Sequence, residues 1–277
     1  MPELPEVEVV RRGLDQHVRG RTIVAAEALH PRAVRHNPDL SHVWGRRIDA
    51  VERRGKFLWL CLDDGTALLV HLGMSGQMLI KDRGTEPHKH LRARAVLDDD
   101  HELWFVDQRT FGYWWAVTME PSHGVMVPAP AAHIARDLLD PDLDLEALAG
   151  VIKSKRTEIK RILLAQEIVS GIGNIYADEM LWAARIHGRQ LAHRLRLERI
   201  VELLGHGQSV MRRALAQGGT SFDALYVNVN GESGYFDVSL HAYGQHGKPC
   251  SRCGTEIQRE EFANRGSHFC PQCQRRH

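Results

Sequence analysis

Two groups of residues, one near each end of the chain, have the types and spacing of a reactive or metal-binding site. Towards the C-terminal end, Cys250-x2-Cys253 and Cys270-x2-Cys273 match the spacing of a four-thiolate zinc ribbon. Two disulfide bonds are the alternative, which a reducing cytoplasm disfavours. Four protein ligands close the coordination sphere and leave no position for an activated water. The pattern therefore predicts one structural Zn2+.

The N-terminal group is the stretch MPELPE. If Met1 is removed, Pro2 offers a secondary amine, and because an α-amino group titrates near pH ~8, part of it is nucleophilic at neutral pH. Such an amine can attack an electrophilic sugar carbon and form an iminium intermediate. Glu3, the next residue, can act as an acid or base beside it. For this stretch taken alone, an inert terminus is the alternative.

The composition is that of a globular chain large enough for two domains, with 277 residues of which 43% are apolar. No stretch approaches the ~20 consecutive apolar residues that span a membrane, and the start of the chain lacks the apolar block of a secretory signal. We therefore expect a cytoplasmic protein. Lys plus Arg (36) balance Asp plus Glu (35), but basic residues cluster at 53–56, 153–156 and 188–199. These clusters can bind phosphates or form an ordinary solvated surface.

The elements that must position these groups follow from hydrophobic periodicity. Residues 3–18 predict an amphipathic helix, and short β-like runs separated by turn signals fill 21–118. Helical patterns follow, and one predicted helix contains Ile159, Ile162, Leu163 and Ile168. The segment between the two cysteine pairs predicts a hairpin that the metal supports.

Five motifs carry a resemblance over nearly the whole chain. They are MPELPEVE at the start, HLGMSG at 71–76, SGIGNIYADE at 170–179, QGGT at 217–220, and the zinc ribbon that ends in CPQCQ. In this order they resemble the bacterial formamidopyrimidine-DNA glycosylases, a family of 8-oxoguanine glycosylases and AP lyases. The resemblance implies a base-excision repair enzyme for oxidised purines, chiefly 8-oxoguanine and formamidopyrimidines, that then cuts the strand by β- and δ-elimination.

The pattern and the resemblance together predict a multidomain α+β fold. It has an N-terminal β-sandwich with a leading helix, a helical helix-two-turn-helix domain and a C-terminal zinc-ribbon hairpin. The expected boundaries are 1–130 for the catalytic sandwich, 131–149 for a linker, 150–238 for the helical DNA-binding domain with a lesion-capping loop, and 239–277 for the zinc finger. The implied partner is damaged double-stranded DNA, with no membrane, and the protein is expected to be a monomer associated with the bacterial nucleoid.

The resemblance implies catalytic roles for four residues. Pro2 is the implied nucleophile at the sugar C1′, and Glu3 is its acid or base. Lys56, in RRGKFLWL, matches the family's proton donor in β-elimination. Arg265, in NRGSHFC, matches the arginine that holds phosphate and takes part in δ-elimination.

A damaged base inside a duplex can reach an N-terminal amine only after its nucleotide is flipped out. Met74, Arg109 and Phe111 match the family residues that fill the resulting gap. Met74 and Phe111 would insert apolar bulk into the stack and kink the DNA, while Arg109 would face the orphaned cytosine. Ordinary core packing is the alternative for the two apolar residues.

Phosphate contacts position an enzyme on DNA without reading its sequence. The resemblance suggests five residues for this work: His90, Arg109, Arg156, Lys160 and Asn174. Asn174 follows GIG at the opening of a helix, where free backbone N–H groups form an anion site. The loop 221–236 falls where the family closes a lid over the flipped base.

Some positions depart from the family pattern. Gln108 and Thr110 stand where many members have proline and a second arginine. Lys89 stands where an aspartate often separates two histidines, which leaves the phosphate contact open between His88 and His90.

Two other functions remain open on the sequence. A glycosylase resembling endonuclease VIII has the same architecture but prefers oxidised pyrimidines; Leu4, the void-filling residues and the long 217–236 segment favour the purine branch. A zinc-ribbon DNA-binding protein without catalysis would need no reactive terminus.

Overall fold

The computed structural model describes residues 2–219, 229–230 and 240–276. By its internal contacts the chain forms two compact units. Of the described residues, the first unit contains those up to His133 with 217–219 and 229–230, and the second contains Ile134–Ala216 and 240–276. Within these ranges, no helix is both long and apolar enough to cross a membrane.

The first unit is a β-sandwich preceded by one helix. In chain order its elements are α1 (Leu4–Val18), β1 (Ile23–Ala28), β2 (Ile48–Arg54), β3 (Phe57–Leu62), β4 (Thr66–His71), β5 (Gly76–Asp82), β6 (Leu91–Leu97), β7 (His101–Asp107), β8 (Tyr113–Ser122) and β9 (Val125–Pro128). One sheet has the order β1-β6-β7-β5 and the other β2-β3-β4-β8-β9, with antiparallel neighbours throughout. The predicted sandwich with a leading helix is confirmed.

Alternating residues direct one face of each sheet into the main core. Leu58 and Leu60 of β3 pack there with Leu103 and Phe105 of β7 and with the apolar face of α1. The intervening residues of the five-stranded sheet form a second apolar cluster around Trp59 on its outer face. Strand β3 is therefore apolar on both sides, which is the pattern of a strand covered on both faces.

A buried carboxylate fixes α1 to β2. Glu8 accepts hydrogen bonds from Arg11 at 3.0 Å, from Arg12 at 2.7 Å and from Arg53 of β2 at 2.8 Å. Burial alone would raise the pKa of Glu8, but the hydrogen bonds and charges of the three arginines outweigh it and lower the pKa from 4.5 to about 2. The fold therefore favours the ionised carboxylate.

We expect Glu8 to make the stability of the first unit depend on pH. Because the folded pKa lies below the unfolded one, the contribution is complete above pH 4.5 and is lost as the pH falls towards 2. Discounted for partial exposure, it amounts to about 1 to 3 kcal/mol. The melting temperatures of wild type and Glu8→Gln should differ by a constant amount around neutral pH and converge in acid. A gap that persists at the acid end would contradict this.

The second unit is mainly helical and ends in a hairpin. Its elements are α2 (Leu145–Ser154), α3 (Ile159–Leu163), α4 (Asn174–Ala184), α5 (Leu197–Ala216), β10 (Gln258–Phe262) and β11 (Arg265–Phe269). A Cβ on Gly207 of α5 would stand 2.7 Å from both Leu138 and Met180, so this position brings α5 close to α4. The predicted helical region and the hairpin between the cysteine pairs are confirmed.

One helix is shorter than predicted. Helix α3 ends at Leu163, and Ile168 lies in a turn beyond it. The side chain of Gln166 explains the stop: it donates to the carbonyls of Leu164 and Ile172 at 3.0 and 2.9 Å and accepts the N–H of Gly171 at 2.9 Å. These bonds replace the hydrogen bonds that a continued helix would supply.

Candidate functional site

A reciprocal cap on α1 fixes the N-terminal residues. The Glu3 carboxylate accepts the backbone N–H of Glu6, and the Glu6 carboxylate accepts the backbone N–H of Glu3 at 2.9 Å. Glu3 is 3% exposed, and Pro2 before it is buried. This is a capping box in which a carboxylate replaces the usual hydroxyl. The stretch MPELPE therefore holds Pro2 and Glu3 in one defined geometry.

The QGG turn lies against this cap. Gly219 has a φ of +86°, and a Cβ built on it would stand 3.5 Å from Glu6 Oε1. Further along, the carbonyl of Val229 accepts the N–H of Ile80 at 3.1 Å. Both contacts lie within the first unit. The predicted lid at 221–236 lies outside the described residues, apart from Val229 and Asn230.

Lys56 occupies the two-residue turn between β2 and β3, where Arg54 pairs with Phe57. Gly55, the first turn residue, has a φ of +56°, which is the position that a type II′ hairpin turn reserves for glycine. Lys56 is half-buried. The turn therefore presents this lysine at a defined place on the rim of the five-stranded sheet.

His71 is a neighbour of this lysine that the sequence reasoning missed. Burial first, and then the charges of Lys56 and Arg35, lower the pKa of His71 to about 4, so the imidazole is neutral near pH 7. Its Nδ1 accepts the N–H of Gly73 at 3.2 Å, and its ring stacks on Tyr113 with centroids 5.5 Å apart. The available signal was its position as the first residue of HLGMSG.

The three void-filling candidates come together at one edge of the sandwich. Met74 lies in the turn between β4 and β5, and Arg109 and Phe111 lie in the segment between β7 and β8. Met74 is 38% exposed and Phe111 is 48% exposed. Arg109 Nη1 donates to Met74 Sδ at 3.8 Å. Exposure of this size argues against the alternative of core packing, since core side chains are buried.

His88 and His90 line one cavity of about 230 Å³ in the same unit. Their ring centroids are 5.6 Å apart, and the Arg92 guanidinium lies 3.1 Å from His90 Nδ1. Burial first, and then the charges of neighbouring cations, lower the pKa of His88. Both histidines can therefore face the same ligand, and the choice between them stays open.

Lys160 differs from the prediction of a phosphate contact. Its side chain is fully buried in the second unit, and its ammonium donates to Asp178 at 2.5 Å. Asp178 also accepts the backbone N–H of His268 at 2.8 Å. A buried lysine that is paired with a carboxylate has no surface to offer to DNA. Lys160 instead helps to join α3, α4 and the C-terminal hairpin.

The other phosphate candidates of the second unit have different surroundings. Arg156 is exposed in the loop between α2 and α3. Asn174 begins α4, and its Nδ2 donates to the carbonyl of Gly266 at 2.7 Å. Arg265, directly before Gly266, is exposed at the start of β11. Asn174 therefore supports the backbone that carries Arg265.

The turn before Arg265 is tight. Phe262 pairs with Arg265, so only Ala263 and Asn264 connect β10 to β11. Both have positive φ values, of 48° and 61°. Two left-handed residues are the signature of a type I′ hairpin turn, in which asparagine is favoured and alanine is strained.

The four C-terminal cysteines meet at one point. Their sulfur atoms all lie within 4.8 Å of one another, and Cys253 Sγ is 3.5 Å from both Cys270 Sγ and Cys273 Sγ. Zn–S bonds of ~2.3 Å in a tetrahedron separate the sulfurs by slightly less than 4 Å, so the site fits one Zn2+ with four protein ligands. The prediction of one structural zinc is confirmed. Trp182 of α4 donates its indole N–H to Cys250 Sγ at 3.4 Å and so joins the site to the helices.

Glu179 of α4 is a second residue that the sequence reasoning missed. Its buried carboxylate accepts the backbone N–H groups of His241, Ala242 and Tyr243 at 2.8 to 3.1 Å. Burial raises the pKa of Glu179 despite these bonds. The carboxylate therefore fastens the segment that leads into the zinc ribbon. Its place in SGIGNIYADE was the only available signal, since backbone partners leave no mark in a sequence.

Three family models match the chain in order. Residues 1–114 match the formamidopyrimidine-DNA glycosylase N-terminal domain. Residues 134–224 match the H2TH domain of the same glycosylase, and residues 247–276 match the zinc finger found in FPG and IleRS.

Curated proteins and solved structures align over the full length. A formamidopyrimidine-DNA glycosylase of Corynebacterium efficiens is 63% identical over 99% of both chains, and one of Rhodococcus jostii is 59% identical over 99% of this chain and 96% of its own. The structure of the MutM (Fpg) protein of Thermus thermophilus has a TM-score of 0.87 at 34% identity and covers 100% of both chains. A Lactococcus lactis Fpg in complex with DNA that contains an abasic site has a TM-score of 0.86 at 32% identity, over 99% of this chain and 100% of that one.

Proposed function

Because this chain belongs to the formamidopyrimidine-DNA glycosylase family, we propose that Pro2 is its nucleophile and Glu3 the acid or base beside it. The protein is a DNA glycosylase with AP lyase activity on oxidised purines in damaged double-stranded DNA. One observation carries the residue assignment: a reciprocal cap at the start of α1 holds Glu3 directly after Pro2 in a buried position.

The proposed first reaction is base release. The Pro2 amine attacks C1′ of the flipped nucleotide, the bond from C1′ to the base nitrogen breaks, and the base leaves with a proton. Glu3 acts as the acid or base that transfers protons between the Pro2 amine and the leaving base. The first product is an aminal in which Pro2 and O4′ are both bonded to C1′. When the C1′–O4′ bond breaks and O4′ takes a proton, the sugar ring opens to an iminium that links the protein to C1′, and reduction by borohydride makes this link permanent.

The proposed second reaction cuts the strand. The iminium makes the C2′ proton acidic, its removal breaks the C3′–O bond, and Lys56 acts as proton donor in this β-elimination. Loss of the C4′ proton from the resulting conjugated iminium then drives a second elimination that breaks the C5′–O bond, and Arg265 holds the phosphate that leaves. The zinc takes no part in either reaction, and its role is to support the hairpin that carries Arg265.

DNA binding is proposed to use a smaller set of cations than the sequence suggested. Either His90 or its neighbour His88 contacts phosphate together with Arg109 and Arg156, and Asn174 assists beside Arg265. Lys160 is assigned to internal support because its ammonium is buried against Asp178. Met74, Arg109 and Phe111 fill the gap that the flipped nucleotide leaves. A chromosomal substrate places the protein in the bacterial cytoplasm, where we propose that it acts as a monomer.

Borohydride trapping tests this function. Incubation with an 8-oxoguanine:cytosine duplex and borohydride should convert the protein to a covalent adduct of higher mass. A thymine-glycol duplex should react at least about tenfold more slowly in single turnover. The reverse preference would indicate the pyrimidine branch. A protein that lacks Met1 and binds the duplex but never forms the adduct would be a DNA-binding protein without catalysis.

A further inference from the structure

A single buried carboxylate joins the two segments that carry the void-filling residues. Asp107, the last residue of β7, is 0% exposed. Its Oδ1 accepts the hydroxyl of Ser75 at 2.5 Å and the backbone N–H of Arg109 at 3.1 Å, and its Oδ2 accepts the backbone N–H of Gly112 at 2.8 Å. Ser75 follows Met74, and Phe111 lies between Arg109 and Gly112. Every void-filling residue therefore carries, or directly adjoins, a donor to Asp107.

All three partners are hydrogen-bond donors, which only a carboxylate can satisfy together. The hydroxyl of Ser75 also accepts the N–H of Arg109 at 3.0 Å, so these two partners of Asp107 are bonded to each other as well. An asparagine at this place would have one acceptor oxygen, and its amide N–H2 would face a donor. Asp107 is fully buried, so a donor that loses its partner has no access to water.

The two segments also touch backbone to backbone. Gly73 has a φ of +63°, and a Cβ built on it would stand 2.5 Å from the backbone nitrogen of Gly112. A Cβ on Gly112 would stand 2.6 Å from Phe105 and 2.7 Å from the carbonyl of His71. Glycine is needed at both positions because no side chain fits between the segments. A shift of one segment must therefore move the other.

Hydrogen bonds from two arginines hold a strained residue in the segment between β7 and β8. Thr110 has a φ of +55°, which is strained for a β-branched residue. Arg35 donates to the carbonyl of Phe111 at 2.6 Å and lies over the Tyr113 ring at 4.6 Å. On the other side, Arg92 donates to the carbonyl of Asp107 at 2.8 Å. The strained conformation at Thr110 persists because hydrogen bonds on both sides hold it.

We propose that Asp107 is the positioning residue that makes Met74, Arg109 and Phe111 act as one preorganised wedge. The proposal rests on the proposed function, in which these residues fill the gap in the duplex. Separate segments would each lose conformational freedom when they enter the DNA, whereas a segment pair that is already locked loses little. Asp107 touches no substrate and acts through the two segments.

The test separates base flipping from chemistry on DNA with no base to flip. Flipping is followed in stopped flow by the fluorescence of 2-aminopurine beside 8-oxoguanine in a duplex. AP lyase activity is measured on single-stranded DNA with a preformed abasic site. The variants are Asp107→Asn, the milder Ser75→Ala, and Met74→Ala as a direct change of the wedge. Asp64→Asn is the matched control, because Asp64 accepts the N–H and hydroxyl of Thr66 in a turn of the same unit.

We expect Asp107→Asn to slow flipping at least about tenfold and Ser75→Ala a few-fold, with AP lyase activity on single strands within about twofold of wild type. Asp64→Asn should change neither rate. Two results would show that Asp107 is not a positioning residue. In the first, Asp107→Asn lowers the flipping rate and the AP lyase rate by the same factor. In the second, Asp107→Asn flips the base at the wild-type rate while Met74→Ala flips it slowly. If Met74→Ala flips the base at the wild-type rate while wild type excises the base, the proposed void-filling role is wrong, and the proposed wedge is wrong with it.

Discussion

An N-terminal extension that places the Pro2 nitrogen in a peptide bond is expected to abolish covalent trapping on an 8-oxoguanine duplex. An amide nitrogen has its lone pair delocalised into the carbonyl and does not attack C1′, whereas the free secondary amine does. The rate of adduct formation should fall by about 1,000-fold or more, the order that loss of a catalytic nucleophile produces elsewhere. Gel shift of the borohydride-treated mixture measures the adduct, and intact mass shows which terminus is present.

Pro5→Ala provides the matched control for this experiment. It changes the other proline of MPELPE and the first turn of α1, but it leaves the terminal amine and the Glu3–Glu6 cap in place. Proline near the start of a helix contributes little that alanine cannot replace. We expect Pro5→Ala to trap within a few-fold of wild type. An extended protein that traps at the rate of Pro5→Ala would remove Pro2 from the mechanism.

The second large effect is expected from Cys253→Ser. Loss of one thiolate removes most of a binding free energy that is about 10 to 16 kcal/mol in zinc-finger peptides, and the hairpin that carries Arg265 should then unfold. We expect zinc content to fall from one equivalent towards zero. DNA binding should weaken at least about tenfold, since a charge-assisted phosphate contact contributes about 1.5 to 3 kcal/mol. Elemental analysis and titration of labelled duplex measure the two quantities.

Cys61→Ser is the control for cysteine loss in general. Cys61 packs at the outer face of the five-stranded sheet of the first unit and is not one of the four cysteines that meet at one point. Burial raises the pKa of its thiol to about 12, so it stays protonated and does not compete for the metal. The variant should keep one zinc and normal affinity. Full zinc occupancy in Cys253→Ser would contradict the four-thiolate site.

The sequence predicted best what depends on local spacing. The zinc ligands follow from two C-x2-C pairs, because that spacing alone brings two sulfurs to one ion. The sandwich and its leading helix follow from hydrophobic periods that change from helical to alternating. These elements need no knowledge of distant partners.

What the sequence could not predict depends on contacts between distant segments. Lys160 has the charge of a phosphate ligand, but its burial comes from Asp178 on another helix. Glu179 binds backbone N–H groups far along the chain, and any residues other than proline would supply them. Helix α3 ended early because the side chain of Gln166 took over backbone bonds, which periodicity does not describe. The assignment of Pro2, Glu3, Lys56 and Arg265 to catalysis stays a prediction, and the experiments above test it for Pro2.

The length of the turn formed by Ala263 and Asn264 determines on which face of β11 the side chain of Arg265 lies. In a β-strand successive side chains point to opposite faces, and Arg265 is the first residue of β11, directly opposite Phe262. One inserted or deleted turn residue would exchange the two faces of β11 and give the place of Arg265 to a neighbour. An engineered graft of the hairpin must therefore keep a connection of two residues, and both residues must tolerate positive φ.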